Sequence, residues 1–218
     1  MAVEVGDVVR LNYTARTSHD RVVDTTYPEV AEEARVDDVG GDGAVAVVVG
    51  EGHVFPPLED ALLGAETGDS GEVRVPPSKA FGARDPGRVE EVEVEALPES
   101  ARVSGARVDV GGDVGHVDQV EDGVAVVDFN HPLAGQELTY EYEVKEVVED
   151  DADRARALAE TFALTVHGAE VDVVDGAVEV EREPTSPDSD WDDARRGYVE
   201  TVLEHTDLDS VELHETYV

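Results

Sequence analysis

The sequence predicts an α+β fold: an antiparallel sheet wrapped on a short helix, with an inserted small β-rich domain and a C-terminal α/β domain. Three observations carry this. Residues 8–16 and 138–144 both alternate apolar and polar side chains, as half-buried strands do, and they pair best with each other. After Pro86-Gly87 the composition shifts to valine–glutamate alternation and glycine-punctuated runs, a β-rich unit of its own. After Glu149-Asp150-Asp151 helical and strand patterns alternate. The chain therefore divides into residues 1–87 with 130–149, residues 88–129, and residues 150–218.

In the first strand Val9, Leu11, Tyr13 and Ala15 share one face, and Arg10, Asn12, Thr14 and Arg16 the other. Val22-Val23-Asp24 is a second short strand, reached through His19-Asp20. Residues 27–34 suit a short helix, residues 37–43 an acidic glycine-rich loop, and the apolar run 44–49 a buried strand. Gly50-Glu51-Gly52 turns the chain. Pro56-Pro57 opens a short helix, because proline fits a first helical turn. Leu58, Leu62 and Leu63 give that helix an apolar side, and Gly64 ends it. Thr67-Gly68-Asp69 turns into a strand over 71–75, stopped by Pro76-Pro77. In the inserted block, residues 89–96 alternate, residues 108–120 carry glycines at 111, 112 and 115, and Glu121-Asp122-Gly123 is a hairpin turn into 124–129. The return strand turns Leu138, Tyr140, Tyr142 and Val144 inward. Beyond it come a helix over 153–162, strands over 171–174 and 177–183, a polar loop over 184–190, and a helix over 192–205. That helix carries Tyr198, Val202 and Leu203 on one side, and a last strand covers 211–218.

Acidic residues number 53 against 16 basic ones, a net charge of −37, and the only lysines are Lys79 and Lys145. Such charge repels itself and opposes compaction. In ~1 M salt the Debye length falls to about 3 Å and the repulsion is largely screened. The favoured reading is the solvated acidic surface of a halophile. An acidic decoy for basic partners and a disordered acidic tail are the alternatives, and regular strand patterns oppose the second. Nucleic acid is not expected as a partner, because phosphate binding needs clustered Lys or Arg. With no cysteine, disulfides and thiolate metal sites are excluded. The 7 histidines are scattered, so no metal site is expected, and no cofactor either. The N-terminus has no basic leader and no stretch approaches the roughly 20 apolar residues of a membrane span. A soluble cytoplasmic protein without membrane contact is expected.

One set of residues stands out. Tyr13, Asp24, Val54-Phe55, Leu58, Phe81 and Tyr140 arrange apolar and aromatic side chains, in separate short segments, around one carboxylate. No nucleophile, base or metal set accompanies them. A dry aromatic pocket with one acid suits a reaction that breaks no covalent bond. Taken singly, these residues read as ordinary structure: Asp24 as a turn cap, and at least one of Tyr140 and Tyr142 as plain core.

Gly50-Glu51-Gly52-His53-Val54-Phe55-Pro56-Pro57-Leu58-Glu59 resembles the strand-turn-helix of FKBP-type peptidyl-prolyl isomerases. Ala80-Phe81-Gly82 resembles their Ala-Tyr-Gly motif, and Val23-Asp24-Thr25-Thr26 their Phe-Asp-Ser/Thr element. The most specific likeness is Asp128-Phe129-Asn130-His131-Pro132-Leu133-Ala134-Gly135-Gln136-Glu137-Leu138. It resembles the return strand of the SlyD-like branch, which carries an insert-in-flap chaperone domain where residues 88–129 fall. The resemblance covers roughly residues 3–148, and residues 150–218 are similar in placement to the C-terminal domain of long archaeal members.

The resemblance implies a prolyl isomerase with chaperone activity, acting on unfolded or proline-containing polypeptides. It implies Leu58 as pocket floor, Tyr13, Val54, Phe55, Phe81 and Tyr140 as walls, the Phe55 backbone N–H as donor to a substrate carbonyl, and Asp24 facing the twisting carbonyl beside Tyr13. It also implies that the inserted domain grips unfolded chains, with Val92, Val94, Val126 and Phe129 as its apolar surface or its core. Two residues depart from the family pattern: Leu58 stands where an aromatic is usual, and Phe81 where a tyrosine is. Both imply reduced turnover and leave a non-catalytic holdase as the alternative. Residues 150–218 carry no chemical motif; a homodimer through them is the assembly the sequence allows.

Overall fold

The computed structural model describes residues 1–36, 43–183 and 189–216, in two compact units: Met1–Val75 with Leu138–Val218, and Pro76–Glu137. The predicted loops over 37–43 and 184–190, and the end of the predicted last strand, fall largely outside the described residues.

The larger unit is organised by β1 (Val8–Thr17), long enough to serve two strands on one edge. β2 (Val22–Thr25) pairs with its C-terminal half and β3 (Val45–Val48) with its N-terminal half, both antiparallel. Along the other edge of β1 runs β9 (Leu138–Val148), and β4 (Ser70–Val75) pairs with β9 beyond it. The chain therefore leaves this sheet after Val75 and re-enters it at Leu138. Alternation explains the long pairing: Val9, Leu11, Tyr13 and Ala15 are all buried on one face. The continuously apolar β3 is buried on both faces: Ala46 and Val48 join an apolar cluster with Val8, Val148 and the C-terminal region, and Val47 is buried on the opposite face.

α1 (Pro28–Ala34) follows β2. α2 (Pro56–Leu62) starts on proline and buries Leu58 and Leu62 completely. Leu63 departs from the expectation: it leaves the helix with extended backbone and is 45% exposed. Leu58 and Leu62 are four residues apart and share a face; the next residue turns about 100° off it.

The C-terminal region is built from α3 (Asp151–Thr161), β10 (Ala169–Val174), β11 (Ala177–Arg182), α4 (Ser189–His205) and β12 (Ser210–Glu215). Asp150 caps α3, its carboxylate accepting the N–H groups of Ala152 and Asp153. β10 and β11 form a hairpin, and β12 runs parallel to β11 after the α4 crossover. Leu158, Tyr198 and Val202 are fully buried; Leu203, predicted on the same side, is exposed because it turns off the Tyr198–Val202 seam. Residues 150–218, predicted as a domain of their own, share one continuous apolar cluster with β1, β3 and β9.

In the smaller unit β5 (Val89–Glu93), β6 (Arg107–Val110), β7 (Asp113–Glu121) and β8 (Val124–Asp128) form an antiparallel sheet in the order β5-β8-β7-β6. The β7–β8 hairpin turns at Asp122-Gly123, both at positive φ, as a primed two-residue turn requires. Leu97, Ala101, Val108, Val117, Ala125, Val127 and Phe129 form its core.

Candidate functional site

The site grows from the gap between β2 and β3 on the edge of β1. At that gap the chain beside Tyr13 is stitched by threonines. Thr26 Oγ1 accepts the Tyr13 N–H, and the Tyr13 carbonyl accepts from the Thr26 N–H and from Thr25 Oγ1. β2 thereby fixes Asp24 against Tyr13, and the Tyr13 hydroxyl donates to Asp24 Oδ2 at 2.9 Å.

Tyr140, carried by β9, lies with its ring centroid 5.4 Å from that of Tyr13; Phe55, at the N-terminus of α2, meets Tyr140 edge-on at 6.2 Å. Leu58 is fully buried, while Val54 and Phe55 are half-buried. Phe55 is set by the turn before it, whose Gly50 and Gly52 N–H groups are accepted by Glu59 Oε1. His53 Nδ1 accepts the Val48 N–H, locking the turn to β3. A cavity of about 260 Å³ opens beside Tyr13 and Val54 and runs along β3 to Glu160 and Thr161 of α3.

Asp24 is the electrostatic centre. Its Oδ1 is buried and has no hydrogen-bond partner among the described residues. Burial pushes its pKa up, while the Tyr13 hydroxyl and the Thr25 amide pull the other way. Tyr13 and Tyr140 are both raised, by burial first and by the nearby Asp24 second, so both phenols keep their protons at neutral pH. The result is one carboxylate with an open acceptor among rings.

Phe81 lies in the smaller unit, 37% exposed, in the turn after the 3-10 helix Pro77–Lys79. Its ring stacks on His131 at 4.0 Å with only 6° between the planes. The segments around Phe81 and His131 are tied together: Gly135 N–H donates to the Gly82 carbonyl, and Asn130 exchanges two hydrogen bonds with the Asp85 backbone. Two motifs far apart in sequence thus form one cluster.

Of the residues predicted to grip clients, Phe129 is 8% exposed and belongs to the core of the smaller unit, its ring pressed over Gly115. Val92 and Val94 pack partly buried against that core, and Val126 is half-buried. Besides Phe81, the exposed large apolar side chains there are Val103 and Val114, which the sequence pattern did not single out because neither sits in an alternating run. It also missed Thr26 and Glu59, whose roles depend on backbone groups.

The family model for FKBP-type peptidyl-prolyl cis-trans isomerase matches residues 1–101. A peptidyl-prolyl cis-trans isomerase SlyD of Treponema pallidum is 33% identical over 156 residues, 69% of this chain and 81% of that protein. The SlyD of Haemophilus influenzae is 32% identical over 174 residues, 78% of this chain and 82% of that one. The short-type peptidyl-prolyl cis-trans isomerase of Methanocaldococcus jannaschii is 29% identical over 148 residues, 66% of this chain and 94% of its own length.

Proposed function

The chain belongs to the FKBP-type peptidyl-prolyl cis-trans isomerase family, and on that premise we propose that it accelerates rotation of X-Pro bonds in unfolded or folding polypeptides through the pocket of Tyr13, Asp24, Val54, Phe55, Leu58 and Tyr140. The observation that carries this is Asp24: one oxygen is held by Tyr13 and the other is buried without a partner among the described residues. A buried acceptor left open costs stability, and a ligand in the pocket gives it a use.

The uncatalysed peptide bond faces a barrier of ~18–20 kcal/mol. The planar amide is charge-separated and water favours it. Rings around the bond withhold that solvation, and the twisted form loses less by it, so the transition state is bound in preference. Removing about 4 kcal/mol speeds rotation roughly a thousandfold. Tyr13 fixes the Asp24 carboxylate so that it faces the turning carbonyl from the side. By family resemblance Phe81 is a further substrate-contacting ring, offering apolar contact without the hydroxyl of the usual tyrosine.

The smaller unit is the chaperone part of this reading. Exposed Val103 and Val114, with half-buried Val92, Val94 and Val126, supply apolar surface that would hold an unfolded chain and raise its concentration near the pocket. Leu58 and Phe81 support a holdase as the second reading. The charge of −37 supports a working medium of high salt.

Proline-limited refolding in molar potassium chloride tests the proposal. The folded protein is expected to accelerate refolding, and Asp24→Ala or Phe55→Ala to reduce the acceleration about 10–100-fold. No acceleration by the folded wild-type chain overturns the enzyme reading. Aggregation suppression that survives Asp24→Ala but is lost in Val103→Ser with Val114→Ser favours the holdase.

A further inference from the structure

The turn that precedes the pocket and the end of α4 meet at side chains the isomerase reading leaves unused. Glu51 lies in the Gly50-Glu51-Gly52 turn, and Glu204 and His205 are the last residues of α4. One ligand atom from each lies within 4.8 Å of the others. Glu51 and Glu204 are exposed, so their carboxylates are free to adjust. His205 is not: its side chain is 11% exposed, and its ring lies near Gly6, where an added Cβ would stand 3.5 Å from Nδ1.

Within this group His205 Nε2 is the anomaly. It is buried and has no hydrogen-bond partner among the described residues, with Glu51 Oε1 3.6 Å away, beyond hydrogen-bond reach. Such a nitrogen, beside one carboxylate and on a residue clustered with a second, lacks one atom that would satisfy all three groups. Nitrogen and oxygen ligands bind zinc at ~2.0–2.2 Å, so two atoms on one ion stand about 3–3.5 Å apart. The present spacing reaches that with small rotations of two exposed glutamates.

We propose that Glu51, Glu204 and His205 bind a first-row divalent transition ion, with zinc(II) the best match to one imidazole and two carboxylates. Water completes the coordination. Negative carboxylates and a helix C-terminus both favour a cation here. Arg154, whose guanidinium donates to the His205 carbonyl, spends its charge on Asp7. The ion ties the turn to α4. Glu59 already braces the same turn from the α2 side, so bound metal would fix from both sides the segment that leads into Val54 and Phe55. The competing explanation of the geometry is a direct contact of His205 with Glu51, with no metal.

Calorimetric titration of the full chain with zinc chloride, in molar potassium chloride with excess magnesium to occupy the acidic surface, decides between them. The expected result is one zinc per chain, bound at least tenfold more weakly by His205→Ala and by Glu51→Gln. Cobalt(II) is expected to broaden the amide signals of residues 50–53 and 203–206. Glu51→Gln and Glu204→Gln change exposed side chains, so they keep the test valid if His205→Ala fails to fold. Absence of stoichiometric binding by the wild-type chain, or equal uptake by the variants, overturns the proposal and leaves an adventitious ion only. The readout is binding, so failure here leaves the isomerase reading untouched.

Discussion

At the residue scale the decisive group is Asp24, whose burial works against its own charge. Its folded pKa is raised above the ordinary 3.8, chiefly by desolvation. A raised carboxyl favours the folded state while protonated. Its contribution is therefore fully present below pH 3.8 and is lost as pH rises through the raised folded value. Asp24→Asn removes this dependence. The stability of Asp24→Asn relative to wild type should grow as pH climbs through the acid range and then level off, while isomerase activity falls. Paired denaturation curves at several pH values measure it, and a difference that shrinks with pH would show Asp24 to be stabilised as an anion. Tyr13→Phe is the companion change: it strips Oδ2 of its phenol donor. About 1–3 kcal/mol of stability should be lost, with a further rise in the Asp24 pKa, read by urea titration and by carboxyl NMR. Tyr13, Asp24 and Tyr140 were legible in the sequence, because rings and one acid recur in strand patterns. The split between a held oxygen and an open one was not, since it depends on which way β2 turns the carboxyl. His205 and Glu51 were illegible for another reason: they lie far apart in the sequence, and only folding brings them together.

Elements were legible where a period was strong. β1 and β9 follow from strict alternation, and α2 from its prolines and the Leu58–Leu62 spacing. Leu63 and Leu203 were misread because neighbours of a buried residue inherit an apolar label without sharing its face. Phe129 sits in the core and not on the surface, and the glycine beneath its ring explains why: at Gly115 an added Cβ would come within 2.8 Å of both Phe129 and Val127. Gly71 in β4 does the same for its cross-strand partner Tyr142, whose hydroxyl donates to the Ala61 carbonyl. An added Cβ there would lie 2.9 Å from that hydroxyl oxygen and 3.0 Å from the ring. Gly71→Ala should therefore cost about 1–3 kcal/mol through overpacking. Tyr142→Leu should absorb part of that cost, so the double variant is expected to be more stable than the sum of the singles predicts. Chemical denaturation of the four proteins measures the coupling; strict additivity would mean that β4 shifts freely and the glycine is incidental.

For the whole molecule, apolar packing and net charge oppose each other. Composition suggested three blocks, but it could not show that Val8, Ala46, Val48 and Val148 continue into the packing around Leu158, Tyr198 and Val202. Ending the chain at Glu149 would expose that face, and the truncated protein should melt at lower temperature or aggregate. Against this packing stands a charge of −37. Individual pairs do little to offset it: most ion pairs are exposed, although Arg10 grips Glu160 with two bonds of 2.9 and 3.0 Å and so ties β1 to α3. Repulsion among the remaining carboxylates reaches about 10 Å at 0.1 M salt and about 3 Å at 1 M, so screening should convert a marginal fold into a stable one. The urea midpoint should rise steeply with potassium chloride through this interval and then flatten once neighbouring carboxylates are screened. Sucrose, which strengthens burial without screening charge, should shift the midpoint without reproducing that curvature. Circular dichroism showing full native structure with an unchanged midpoint in millimolar buffer would mean that the acidic surface costs the fold nothing. The charge would then have to be explained by solubility or by partners instead of by the medium.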